Sequence, residues 1–175
     1  SILAVFSPNQ EIYSIDECFL DLTGFRKQNK ILYGRHIRQR IKQWTGLPVC
    51  VGIGSTKTLA KLANHIAKKN PEFNGVCDLN AMSLGQQDEW FSKIEVGEIW
   101  GIGRRLAPKL HEIGIKTVLD LKTASPSQLR ARFSVVMEKT IREINGTACI
   151  ELEEINPPKK QIVSSRSFGI PVSDL

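Results

Sequence analysis

The sequence predicts two regions of different class: an α/β (α+β) layer over residues 1–80, a small sheet with helices, then an all-α helix-hairpin-helix region over residues 81–156. Three observations carry this. Strand-like and helical apolar patterns alternate as far as Asn80, strand signals stop there, and beyond it short helical stretches are punctuated by glycine.

Residues Glu11 to Leu22, EIYSIDECFLDL, read as two short strands rich in Ile, Tyr, Phe and Leu that end at the turn pair Thr23-Gly24. A helix follows from Ile31 to Trp44, where Ile31, Leu32, Ile37, Ile41 and Trp44 recur near helical spacing. Pro48 to Ile53 reads as a buried strand. Ser55 or Thr56 caps a second helix whose inward face is Leu59, Leu62, Ala63, Ile66 and Ala67, and which stops near Asn70-Pro71. Gly75 to Leu79 is a further strand. The order β-β-α-β-α-β suggests one sheet covered by helices, with part of that sheet expected outside this chain.

After Asn80 the pattern predicts helices near Ser83 to Ser92, Val96 to Trp100, and Arg104 to Ile113, the last closed by Gly114. Ser125-Pro126-Ser127-Gln128 is a helix start, with Ser125 as cap, Pro126 at the first position and Gln128 completing a capping box. A last helix runs from Val135 to Asn145. Pro157-Pro158-Lys159-Lys160 reads as a tether, so residues 157–175 form a third segment in which Gln161 to Gly169 begins a strand.

The chain has 175 residues, 41% hydrophobic and 24% charged, as in a soluble globular protein. The apolar start Ile2 to Phe6 is too short for a signal or a transmembrane segment, so the protein is expected in the cytoplasm with no membrane partner. Cys18, Cys50, Cys77 and Cys149 are scattered without a C-x-x-C pair, as are His36, His65 and His111, which speaks against structural zinc and for reduced, buried thiols. Charge is unevenly spread. Residues 1–24 hold Glu11, Asp16, Glu17 and Asp21 and no Lys or Arg, which leaves the rest at +10 against a net +6. A basic body fits a polyanionic partner, and an acidic knot within it fits a cation site.

Asp16 and Glu17 are adjacent acids between the first two strands. In a regular strand they would face opposite ways, so they serve one cation only if the chain turns or bulges there. Two such carboxylates holding Mg²⁺ suit phosphoryl transfer; the plain alternative is a polar hairpin turn. The string Gly52-Ile53-Gly54-Ser55-Thr56-Lys57-Thr58 follows a strand and opens a helix, as a phosphate loop does, but lacks the G-K-[ST] ending. On that helix Lys57, Lys61, Asn64 and Lys68 fall within about 60° of one another, either a basic stripe for a polyphosphate or a solvated lysine face. Trp100-Gly101-Ile102-Gly103, followed by Leu106, Leu110 and Gly114-Ile115-x-Thr117-Val118-x-Asp120-Leu121, matches a helix-hairpin-helix. Its glycines let backbone amides approach a phosphate without reading sequence, and Arg104 and Arg105 add charge; the alternative is a structural turn.

SIDECFLDLTG, VGIGSTKTLAKLANHIAKK, WGIGRRLAPKLHEIGIKTVLDL and SRSFG resemble, in order and rough spacing, the Y-family lesion-bypass DNA polymerases, and WGIGRR with SRSFG looks most like the UmuC branch. The resemblance covers nearly the whole chain. It implies a partial palm over 1–80, a helix-hairpin-helix thumb over 81–156 and the start of a little finger after it. It further implies Asp16 and Glu17 as two of three metal-binding catalytic carboxylates, Asp21 as a supporting group, and Lys68, with Lys61 as second candidate, at the triphosphate of the incoming dNTP. Gly101, Ile102, Gly103, Arg104 and Arg105 would hold DNA. Implied cofactors are two Mg²⁺ ions; implied partners are primer-template DNA, a UmuD-type subunit, a recombinase filament and the sliding clamp, in DNA repair and SOS mutagenesis. The family's first catalytic aspartate, sugar-discriminating aromatic and fingers all precede the segment that begins at Ser1, so this chain by itself is expected to be inactive. The competing class is a non-catalytic helix-hairpin-helix module of a repair scaffold, and a P-loop NTPase is a third.

Overall fold

The computed structural model describes residues 2–7, 9–14, 16–25 and 29–150. The tether, the strand-like segment after it and the SRSFG string lie outside the described residues. Strands β1 (Gln10–Ile12) and β2 (Cys18–Leu20) form an antiparallel hairpin with Glu11 opposite Phe19. Helix α1 (Lys30–Thr45) starts at Asn29, whose side chain accepts from the amides of Ile31 and Leu32, and ends at Gly46 with φ 74°. Strand β3 (Val51–Ile53) pairs in parallel with β4 (Val76–Asp78), and helix α2 (Lys57–Lys69) makes the crossover between them. The predicted order of elements is therefore observed, as two two-stranded sheets. Within α1 only Gly34 and Ile37 are fully buried; Leu32 and Trp44 lie exposed, and Trp44 stacks on Phe6.

Gly52 and Gly54 explain the glycine string. A Cβ at Gly52 would sit 2.1 Å from the Asn64 amide nitrogen, and one at Gly54 would sit 2.7 Å from that of Ala60. These glycines let α2 lie directly on β3, which is a packing role and not a phosphate cradle.

Past Asn80, α3 (Leu84–Phe91) carries a reciprocal capping box between Ser83 and Gln86. Helices α4 (Ala107–Glu112), α5 (Val118–Lys122), α6 (Pro126–Arg132) and α7 (Val135–Ile144) follow. Two expectations are corrected. Helix α4 begins three residues after Arg104, because Pro108 is tolerated only in a first turn, where its ring does not meet the carbonyl four residues back. Ser125 does cap α6 through the Gln128 amide, but the return bond that would make a box is not formed. A box is formed instead by Thr117 and Asp120 on α5.

One core runs through both regions. Leu59, Leu62 and Ile66 of α2 belong to the same buried cluster as Phe91, Val96, Leu110, Leu121 and Ile141. A polar joint seals it. Glu143 of α7, 1% exposed, accepts from the Thr58 amide (3.1 Å) and hydroxyl (2.8 Å), and from the amides of Cys149 (2.8 Å) and Ile150 (3.2 Å).

Candidate active site

The loop between β1 and β2 is closed by two amides, those of Tyr13 (3.0 Å) and Ser14 (3.1 Å), which both donate to the Glu17 carbonyl. That turn is the departure from regular strand that a shared cation site requires. Asp16 is exposed, with one carboxylate oxygen accepting from the Ser14 hydroxyl at 2.8 Å. Glu17 is half-buried. Both acids line a cleft of about 1000 Å³ between the hairpin and the β3–α2 junction. Asp21 reaches the same cleft, and the hydroxyl and amide of Thr23 both donate to one of its carboxylate oxygens and hold it below the usual carboxylate range.

Helix α2 brings its lysines to the acids. Lys61 Nζ lies 2.9 Å from each oxygen of Glu17, and Lys57 pairs with Glu11. The stripe is thus split rather than a uniform solvated face: Lys57 and Lys61 are engaged at the cleft. Lys68 is exposed, two turns further on by about 10 Å of helix rise and outside the cleft lining. Asn64 also faces the cleft, its side-chain oxygen buried without a partner among the described residues.

The acid pair fits a hard divalent cation as a partial donor set, since both ligands are carboxylate oxygens facing one cleft. Among the described residues no three His, Cys, Asp or Glu side chains converge. A cation would have to share Glu17 with Lys61 or displace it.

Beside this pair sits the helix-hairpin-helix turn. Ile102 is buried, Gly101 has φ 85°, and Gly103, Arg104 and Arg105 are exposed. A Cβ on Gly103 would meet nothing within 4 Å, so that glycine leaves open space. The carbonyl of Gly103 accepts from Leu106 and Ala107, which orders the turn ahead of α4. Sequence reasoning missed the aromatic contacts between turn and acids. The Trp100 ring packs edge-on against Tyr13 (5.6 Å) and tilted against Phe19 (5.6 Å), and Lys61 Nζ lies 4.7 Å from the Tyr13 ring centre. The one signal was position: Tyr13 precedes the acids by three residues, and Trp100 directly precedes Gly101.

A small α/β layer with an acidic hairpin, joined to a helix-hairpin-helix region, is the palm-and-thumb arrangement of Y-family DNA polymerases. A solved example, the insertion ternary complex of Dbh DNA polymerase, superposes with a TM-score of 0.65 at 27% identity, over 85% of this chain and 43% of that one. Residues 1–65 match the impB/mucB/samB family, and residues 87–115 match that family's HHH motif. It is 50% identical over 169 residues to protein UmuC of Salmonella typhimurium, covering 95% of this chain and 40% of the relative. It is 32% identical over 175 residues to DNA polymerase IV of Clostridium acetobutylicum, covering 99% and 42%. The chain thus spans about two-fifths of the length of these relatives. Among the described residues no helix is long and apolar enough to cross a membrane.

Proposed function

We propose that this chain is the palm-and-thumb part of an error-prone lesion-bypass DNA polymerase of the UmuC type, which extends primer-template DNA from dNTPs in the cytoplasm. The observation that carries this reading is that Asp16, Glu17 and Lys61 face one cleft beside the Gly101–Gly103 turn. Asp16 and Glu17 would hold Mg²⁺, which when bound activates the primer 3′-hydroxyl and neutralises the departing pyrophosphate. Glu17 is steered by Lys61, whose ammonium also sets positive potential where a triphosphate would lie. Lys68, exposed on the same helix, reaches the outer phosphates. The turn at Gly101–Gly103 and the guanidinium groups of Arg104 and Arg105 hold DNA phosphates without reading bases.

A third carboxylate would complete the site, since Asp16 and Glu17 alone give a cation only a partial donor set. The 175-residue chain alone is therefore expected not to extend a primer. A UmuD-type subunit, a recombinase filament and the sliding clamp complete the proposed setting, and no surface described above is assigned to them. The alternative of a non-catalytic DNA-binding module predicts that the acids are dispensable.

The test uses the longer protein that contains this chain. Asp16→Asn or Glu17→Gln should lower kcat at least about 100-fold while the Kd for primer-template moves little. Near-normal turnover in both variants would return the loop to a plain hairpin turn.

A further inference from the structure

We propose that Trp100 is a positioning residue that couples the helix-hairpin-helix turn to the acid pair, by holding the Lys61 ammonium on Glu17 in the corner between the perpendicular rings of Tyr13 and Trp100. This rests on the functional reading above.

The chain of contacts is continuous. Trp100 is the residue before Gly101 and is 6% exposed. It meets Tyr13, the first residue of the acidic loop, with ring centres 5.6 Å apart and planes at 86°. Lys61 Nζ lies 5.9 Å from the Trp100 ring centre, 4.7 Å from that of Tyr13, and 2.9 Å from both Glu17 oxygens. A cation on an aromatic face is attracted by the ring quadrupole, so the two rings fix where this flexible lysine rests. The indole Nε1 is buried and has no acceptor among the described residues, so the contacts shown for Trp100 are those of its ring.

Two consequences distinguish this from a merely structural tryptophan. Because Lys61 and a divalent cation compete for Glu17, loosening Lys61 should tighten cation binding. Because the turn and the rings are one unit, DNA on the turn and a cation on the acids should each alter the other's affinity by one and the same factor.

The experiment uses the 175-residue chain with Mn²⁺ as probe, free Mn²⁺ being counted by electron paramagnetic resonance, with and without a short DNA duplex at low salt. Wild type should bind Mn²⁺ in a manner lost in Glu17→Gln. Lys61→Met should tighten Mn²⁺ about threefold or more, since it removes the competing charge at contact distance. Trp100→Ala and Tyr13→Leu should move in the same direction, and Trp100→Phe, which keeps the ring edge and removes the orphan donor, should stay near wild type. After subtraction of the Mn²⁺ taken up by the duplex alone, duplex should shift the wild-type Mn²⁺ midpoint about twofold or more and shift it less in Trp100→Ala. A second readout serves if Trp100→Ala does not fold. In a Trp44→Phe, Trp90→Phe background Trp100 is the sole indole, and its emission should change saturably with Mg²⁺ unless Glu17 is replaced.

Mn²⁺ binding that depends on Glu17 but ignores Lys61→Met, or ignores duplex, would overturn the coupling and leave the polymerase reading intact. Mn²⁺ binding equally weak in wild type and Glu17→Gln would overturn the coupling, which requires that Asp16 and Glu17 hold a cation without a third carboxylate.

Discussion

Cys77 shows how burial sets reactivity at a single residue. It is fully buried on β4, opposite Gly52, and that burial, with the neighbouring Asp78 charge, pushes its thiol up to about 12. The thiolate is the reactive form, so at pH 8 almost none of it exists at this position. In the folded chain Cys77 should survive iodoacetamide treatment at pH 8 and react once urea unfolds the protein; rapid native labelling at Cys77 would contradict the packing of α2 on β4. The acids were legible in the sequence as residue types, because Asp16 and Glu17 interrupt two apolar strand segments. Their usefulness was not, since facing depends on the loop closure by the Tyr13 and Ser14 amides. The partnership of Lys61 with Glu17 crosses 44 residues and leaves no periodic trace.

Among the elements, short ones depend on their end contacts, and α5 is the clearest case. Asp120 accepts from the amides of Lys116 (2.9 Å) and Thr117 (3.0 Å), and these bonds hold its carboxyl below the usual range. A carboxyl whose folded pKa is depressed adds stability above its unfolded value, near pH 4, and loses it as pH falls through the folded value. Urea midpoints should therefore differ between wild type and Asp120→Ala at pH 7, and the gap should narrow by pH 2.5; a gap that widens in acid would refute the cap as its source. At the α2–α7 joint the stakes are larger. Glu143→Ala would strand the amides of Thr58, Cys149 and Ile150, at a cost of about 3 kcal/mol or more, read as a lower denaturant midpoint at unchanged m. Long amphipathic elements such as α2 and α7 were legible from periodicity alone. The starts of α4 and of the capping boxes were not, because Pro108 and the choice between Ser83 and Ser125 act through backbone geometry that letters do not display.

For the whole molecule, the testable property is association with DNA. With few phosphates engaged by the turn and two arginines, binding should be weak, about micromolar or poorer at low salt, with a log-log salt slope of roughly one to four. Base sequence should not matter. Gly103→Ala is the clean probe, because the fold leaves open space at that glycine and a Cβ there would obstruct only a ligand, whereas Gly101 carries φ 85° and any replacement strains the turn. Arg104→Ala should lower the slope by about one. Gly103→Ala that folds and binds duplex as wild type does would make the hairpin a structural turn only.

The continuous buried cluster from Leu59 to Ile144 bears on how such chains can be recombined. Compositional reading divides the sequence at Asn80, yet a chimera joined there would pair half of one interdigitated set with half of another, and would have to match Thr58 to a foreign Glu143. Exchanging the helix-hairpin-helix region between relatives should then succeed only when α2 travels with it, so the transferable cassette begins upstream of Lys57 rather than at the visible change of texture.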